Sequence, residues 1–206
     1  SGGEMVDSEL GEIPKGWELK PLDQVANFLN GLALQKYPPV NEVEFLPVIK
    51  IRELKQGITQ STDKASHDIP REYIVNDGDV LFSWSGSLEL VLWSGGAGAL
   101  NQHLFKVTSN DYPKWFYFYQ INENLKRFRE IAAGKATTMG HIQRHHLSET
   151  LIAIPPTEIM KKANELIAPL IDNFVNNDIE SQKLSKIRDS LLPKLMSGKI
   201  RVKGDE

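Results

Sequence analysis

The chain has 206 residues, of which 40% are hydrophobic and 25% charged, the make-up of a folded globular protein rather than a disordered one. No run approaches the roughly 18 consecutive apolar residues of a membrane span, and the polar, acidic start through Trp17 has no apolar core that would mark an export signal. The absence of cysteine excludes a disulfide scaffold and any thiolate metal site and fits a reducing compartment, so a cytoplasmic protein is expected; the net charge of -3, taken alone, argues against nucleic acid as a partner.

Up to about Pro156 the chain alternates short β-like runs with turn residues. Pro47 to Ile51, Asp79 to Trp84, Leu88 to Trp93, His103 to Val107 and Thr150 to Pro155 are rich in β-branched and aromatic residues, and Asn76-Asp77-Gly78 is a turn signal before the second. Gly95-Gly96-Ala97-Gly98 fits a tight turn between strands better than a nucleotide-binding loop, because it matches neither the dinucleotide nor the phosphate-loop pattern. Pro113 to Ala133 reads as a helix, with Trp115, Phe118, Leu125, Phe128 and Ala132 at helical multiples and Gly134 as a stop. Thr137 or Thr138 can cap a further helix over Met139 to Leu147. Its free backbone amides beside Lys135 would suit a phosphate oxygen, or the cap would be an ordinary one on a surface helix. These elements predict an α+β fold with a curved or barrel-like mixed sheet.

After Pro155-Pro156 the texture becomes helical, with Thr157 as a candidate cap and Glu158 in the first turn. Pro169 is expected to separate a short helix from a longer one, and Pro193 to end or kink the second, before Gly198. The piece between the prolines would be roughly 36 Å long, more than one side of a small domain can cover. Its apolar stripe of Leu170, Phe174, Leu184, Ile187 and Leu191 therefore calls for a partner, with Asn177 and Ser181 as polar interruptions that can fix register. The other possibility is a helix lying on its own domain. The expected organisation is a domain over 1–156, a helical region over 157–199 and a tail over 200–206.

Catalytic signatures are lacking. Ile154-Pro155-Pro156-Thr157 has neither the polar group nor the aromatic of a methyltransferase motif, and Asp79 and Glu89 lack the lysine spacing of a nuclease. His141 and His145 are spaced as two ligands on one helical turn, but no third ligand is evident, so no metal is expected. Charge is unevenly spread, however. Gly134 to His146 holds Lys135, Arg144 and three histidines with no acid, and Lys183 to Lys203 holds seven Lys or Arg against Asp189 alone. Local basic surface, not the total, governs nucleic-acid affinity.

Ala133 to Pro156, a Gly and hydroxyl-bearing segment leading through a basic helix to a strand and Pro-Pro, resembles the end of the target-recognition domain in type I restriction-modification specificity subunits. Gly11 to Ala26 resembles that family's domain opening, with Trp17 as anchor aromatic. Asn76 to Ser87 resembles its central strand and loop, Ala99 to Val107 the next strand, and Leu191 to Val202 its closing segment. Each match is degenerate alone, but they occur in order along nearly the whole chain.

The resemblance implies a non-catalytic protein that reads double-stranded DNA and holds methyltransferase subunits, which bind S-adenosylmethionine; motor-nuclease subunits complete the assembly. No cofactor is implied for this chain itself. Family members carry two recognition domains and two spacer helices, whereas this chain has one of each. It is expected to be either a half-length subunit that dimerises through its spacer helix or, since a segment like Glu4 to Trp17 follows the first spacer in the family, a second half. Candidate DNA contacts are Lys36, Lys50, Arg52 and Lys55; Trp84, Ser85 and Ser87; Gln102 and His103; and Lys135, Thr137, Thr138, His141 and Arg144, with Lys135 and Arg144 expected to be exposed. Trp84 and His103 also suit the core. A rival reading is a protein-interaction module that dimerises through its C-terminal helix without any DNA role.

Overall fold

The computed structural model describes residues 3–134 and 140–201. An exposed hairpin of β1 (Met5–Ser8) and β2 (Gly11–Pro14) precedes β3 (Glu18–Pro21), the short helix α1 (Leu22–Val25) and β4 (Asn27–Asn30). A 3-10 turn at Leu34–Lys36 leads to β5 (Leu46–Ile49), α2 (Ile51–Gln56), β6 (Lys64–Ala65) and β7 (Ile74–Val75). Then come β8 (Val80–Ser83), β9 (Leu90–Leu92), β10 (Gly98–Leu100), β11 (Leu104–Thr108) and α3 (Lys114–Ala133). The chain closes through α4 (Arg144–Ser148), β12 (Leu151–Ile154) and the 40-residue α5 (Thr157–Met196).

Four strands in the order β4-β11-β8-β9 form one antiparallel sheet. A second sheet, β6-β5-β10-β7, is mixed, because β10 runs parallel to β5 and antiparallel to β7. Both sheets are open, and a parallel bridge between Leu32 and Asn101 joins them where β4 and β10 end. The mixed α+β expectation is met, with open sheets and no closed barrel among the described residues.

Period-two alternation explains how the layers stack. Val80 and Phe82 of β8, and Phe105 and Val107 of β11, point to a core shared with the helices. The intervening Leu81, together with Leu104, points the other way, onto Ile49, Val75 and Leu100 of the second sheet and onto Trp93, which follows β9. The second sheet repeats the device: Val48 and Ala99 leave that middle layer to pack with Leu34, Ala65 and Ile69 on its far side. The first sheet thus lies between a helical layer and the second sheet. Helix α3 covers its outer face with Trp115, Phe116, Ile121, Leu125, Phe128 and Ala132, spaced by multiples of a turn, and Phe82 and Phe128 meet at 5.9 Å between centroids. Gly134 terminates α3, and Gly78 takes the left-handed conformation (φ +83°) in the turn after Asn76, both as expected from sequence.

Helix α5 corrects two expectations. It runs unbroken through Pro169 instead of dividing there, and it continues for a further three residues past Pro193, which the sequence marks as a point to end or kink the helix. A proline within a helix forfeits one hydrogen bond and crowds the preceding turn, a cost of about 3 kcal/mol. Around Pro169, burial of Met160, Ile171 and Val175 and partial burial of Ala163 and Ile167 hold both sides to the domain core and offset that cost. Pro193 lies one turn from the end, where few bonds follow it. Thr157 is the first helical residue rather than the cap, a position taken by Pro156 without a side-chain bond.

Two polar ties supplement this packing: the Trp115 indole donates to Asn164 Oδ1 at 3.0 Å, and Ser94 hydrogen-bonds Asp178 while accepting from Gln182 Nε2 at 2.9 Å. Leu170, Phe174, Leu184, Ile187 and Leu191 remain exposed on the helix, which at 1.5 Å per residue is about 60 Å long. One face of α5 therefore belongs to the domain core, and another carries an open apolar stripe.

Candidate nucleic-acid interface

The ends of three neighbouring strands bring most of the central candidates together. Residues 101–103 turn the chain into β11, Trp84 and Ser85 follow β8, and Asn30 ends β4 beside them. Trp84 is half-buried on the core. Its indole nitrogen donates to Asn30 Oδ1 at 2.8 Å and to the Gln102 carbonyl at 3.1 Å. The His103 ring lies 5.6 Å from that of Trp84, and the His141 ring meets Trp84 edge-on at 6.3 Å. Segment 140–142 is laced to this edge by the Ser85–His141 bridge, by Gly86 N donating to Gly140 O at 2.9 Å and by Ile142 N donating to Trp84 O at 2.9 Å.

The close fit has a glycine at its centre. A Cβ on Gly31 would stand 2.3 Å from the Asn101 carbonyl oxygen, so no other residue lets β4 approach the 101–103 turn so nearly. Asn101 is buried; its Oδ1 accepts from His103 N at 3.2 Å and its Nδ2 donates to Gln102 Oε1 at 2.7 Å. Arg144 donates to the Phe28 carbonyl at 3.1 Å and lies over the Phe105 ring at 5.6 Å. The expected freely exposed arginine is thus exposed but tethered.

Other candidates divide. Ser85 is buried and hydrogen-bonds His103 Nδ1 at 3.0 Å, so it orients the histidine and does not itself face solvent. Ser87 is exposed nearby, and its carbonyl accepts from Ser83. Lys36 is exposed at the end of the 3-10 turn, and Lys50 lines a cleft of about 310 Å³ with Gln35, Lys64 and Asn101, adjoining the cluster. Lys50 also pairs with Asp63, whose carboxyl the ammonium holds below its ordinary range.

Arg52 and Lys55 are engaged elsewhere. Arg52 pairs with the buried Glu53 at 2.8 Å and donates to Ser61 O at 2.9 Å. Lys55 pairs with Glu89 at 3.3 Å and lines a groove of about 750 Å³ facing α5. Lys135, Thr137 and Thr138 lie outside the described residues. The helix expected over Met139 to Leu147 is only Arg144–Ser148, capped by Gln143 and His146, so His141 and His145 do not share a helical face. Among the described residues there is no group of three or more side chains arranged to hold a metal, and no helix is long and apolar enough to cross a membrane.

Sequence reasoning missed Asn30 and Asn101. Asn30-Gly31 carries a legible turn signal, but nothing local shows that its amide meets Trp84, 54 positions away. The acids considered for nuclease chemistry have structural partners: Asp79 pairs with Lys106 at 2.8 Å, and Glu89 with Lys55 and Arg129. Burial, and then the Asp79 charge, push the nearby Tyr117 hydroxyl up to about 12.

The domain thus carries a half-exposed cluster of amide, imidazole, indole and guanidinium groups at one edge, and α5 outruns it with an open apolar stripe. The chain belongs to the type I restriction modification DNA specificity domain family, whose model matches residues 14–189. It is 30% identical to the type I restriction enzyme MjaIX specificity subunit of Methanocaldococcus jannaschii, over 93% of this chain and 46% of that protein. It is 26% identical to the EcoBI specificity subunit of Escherichia coli, over 91% of this chain and 40% of the other. The chain thus spans less than half the length of these relatives. A crystal structure of a type I restriction-modification S subunit from M. genitalium shares the fold at a TM-score of 0.56 and 16% identity, covering 88% of this chain and 46% of that one.

Proposed function

We propose that this chain reads one half-site of a bipartite DNA target for a type I restriction-modification enzyme and performs no chemistry itself. The observation that carries the reading is the juxtaposition of Asn30, Trp84, Gln102, His103, His141 and Arg144 at one edge of the fold, in a member of a DNA specificity family. Arg144, Gln102 and Asn30 supply groups suited to base edges, and Lys36 and Lys50 supply charge suited to phosphates. Lys135, Thr137 and Thr138 are further proposed DNA contacts on sequence grounds alone.

Helix α5 is the spacer. Its inner face fixes it to the domain, and Leu170, Phe174, Leu184, Ile187 and Leu191 form the contact with a second such helix, in another copy or in another half of the same subunit. Methyltransferase subunits, carrying S-adenosylmethionine, dock on this framework, and motor-nuclease subunits join the complete complex in the cytoplasm.

The purified chain should bind duplex DNA weakly, with affinity falling steeply between about 50 and 200 mM salt as phosphate contacts displace counterions. It should transfer no methyl group from S-adenosylmethionine. Methyl transfer by this chain free of other subunits overturns the reading, as does failure to bind duplex DNA both alone and with its methyltransferase.

A further inference from the structure

The strand-end cluster has a hydrogen-bonding polarity, and its chemistry selects one base. An indole N–H can only donate, so Trp84 forces the Asn30 oxygen inward and turns the Asn30 NH₂ away from it. A backbone N–H can likewise only donate. His103 N therefore fixes Asn101 with its oxygen toward the 103 amide and its NH₂ toward Gln102, which in turn commits Gln102 Oε1 and turns the Gln102 NH₂ outward. Neither outward NH₂ has a partner among the described residues, and every buried side-chain polar atom does, so both amide nitrogens reach solvent. Asn30 and Gln102 are neighbouring residues, because the one indole N–H bonds the side chain of Asn30 and the backbone carbonyl of Gln102. Arg144 adds only donors, and no carboxylate bonds Asn30, Trp84, Gln102, His103 or Arg144 among the described residues.

We propose that Asn30 and Gln102 form a guanine-reading pair, donating to N7 and O6 in the major groove; this rests on the DNA-recognition function proposed above. Guanine is the base that shows two adjacent acceptors there. Adenine sets an N6 amine, and cytosine an N4 amine, against outward donors, and thymine offers one acceptor beside a methyl group. Free carboxamides of Asn and Gln suit adenine because each offers both an oxygen and an NH₂. Here Trp84 and Asn101 engage the oxygens and leave the donors. Trp84 and Asn101 are positioning residues, and they set specificity by fixing which end of each amide faces out.

The test is selection of bound duplexes from a randomised library with the full 206-residue chain, followed by sequencing. Guanine should be enriched at one position, and replacing that guanine with 7-deazaguanine, which lacks the N7 acceptor, should weaken binding about tenfold. Asn30→Asp retains an acceptor for the Trp84 indole but turns an oxygen outward, so preference at that position should move from guanine towards cytosine. Trp84→Phe frees the Asn30 amide to rotate and should flatten the guanine preference without reversing it. The 7-deazaguanine probe needs no variant and stands even if one fails to fold.

Base preference that lacks guanine, that ignores 7-deazaguanine, or that Asn30→Asp leaves unchanged overturns the assignment while the DNA-reading function stands. Uniform weakening of all sequences by Asn30→Asp assigns these donors to phosphate oxygens and also overturns it. Binding of no duplex, by the chain alone and with its methyltransferase, overturns both.

Discussion

Replacing Arg144 with alanine tests whether the tether seen at the interface is energetically real. The side chain makes one hydrogen bond, to the Phe28 carbonyl at 3.1 Å, and one ring contact, over Phe105 at 5.6 Å. A charge-assisted bond at a solvent-exposed site contributes about 1 kcal/mol net, and a cation–π contact with water access about 0.5 kcal/mol. Together these give about 1.5 kcal/mol, which for a domain of this size lowers the melting temperature by roughly 3–6 °C. Thermal unfolding followed by circular dichroism measures the shift directly. Arg144→Lys should recover little of it, because an ammonium cannot reproduce the planar fork, yet it should retain more DNA affinity than Arg144→Ala by keeping the charge. A shift under about 1 °C refutes the tether and returns Arg144 to the class of freely exposed residues, whose substitution costs under about 0.5 kcal/mol.

Changing Leu184 and Leu191, which are 58% and 40% exposed, to Asp should abolish self-association in analytical ultracentrifugation while the domain melts as before; loss of the folded domain refutes the assembly role. Tyr117, pushed up to about 12 by burial, holds its proton more tightly folded than unfolded, so its contribution is complete below about pH 10 and is lost as pH rises through 12. Wild-type protein should therefore lose about 2–3 kcal/mol more than Tyr117→Phe across that window in urea unfolding. Gly31→Ala sets a methyl group against the Asn101 carbonyl and should cost roughly 1–3 kcal/mol as well as weakening DNA binding. Asn164→Ala strips the acceptor from the Trp115 indole; with single cysteines introduced on the domain and near Ser190 for spin labels, the interlabel distance distribution should broaden.

The strands and α3 were legible because their signals are local. Val80 to Ser83 and Leu104 to Thr108 are dense in β-formers between turns, and the apolar residues of α3 recur on one face. The continuity of α5 was not legible, since Pro169 carries a local penalty that only the packing of Ile171 and Val175 on the distant sheet and α3 outweighs. At the interface, Trp84, Gln102 and His103 stood out as polar or aromatic residues at strand ends. Asn30 and Asn101 did not, because their importance lies in pairings made by the sheet order. Arg52 and Lys55 are equally prominent as cations in the sequence, but Glu53 and Glu89 engage them. The hairpin of β1 and β2 lies in a polar, acidic opening with little hydrophobic alternation, and its exposed strands explain why.

The antiparallel pairing of β3 with β12 sets Glu18 opposite Ile154 and Pro21 opposite Leu151. The polypeptide therefore enters and leaves the recognition fold side by side, through one ribbon beside the root of α5. A fold with adjoining entrance and exit behaves as a cassette: its interior loops can be rewritten, or the whole unit exchanged for another of the same footprint, without moving the helix it is mounted on. On the function proposed above, which bases are read and how far apart they are read would thereby be separable properties, free to change independently.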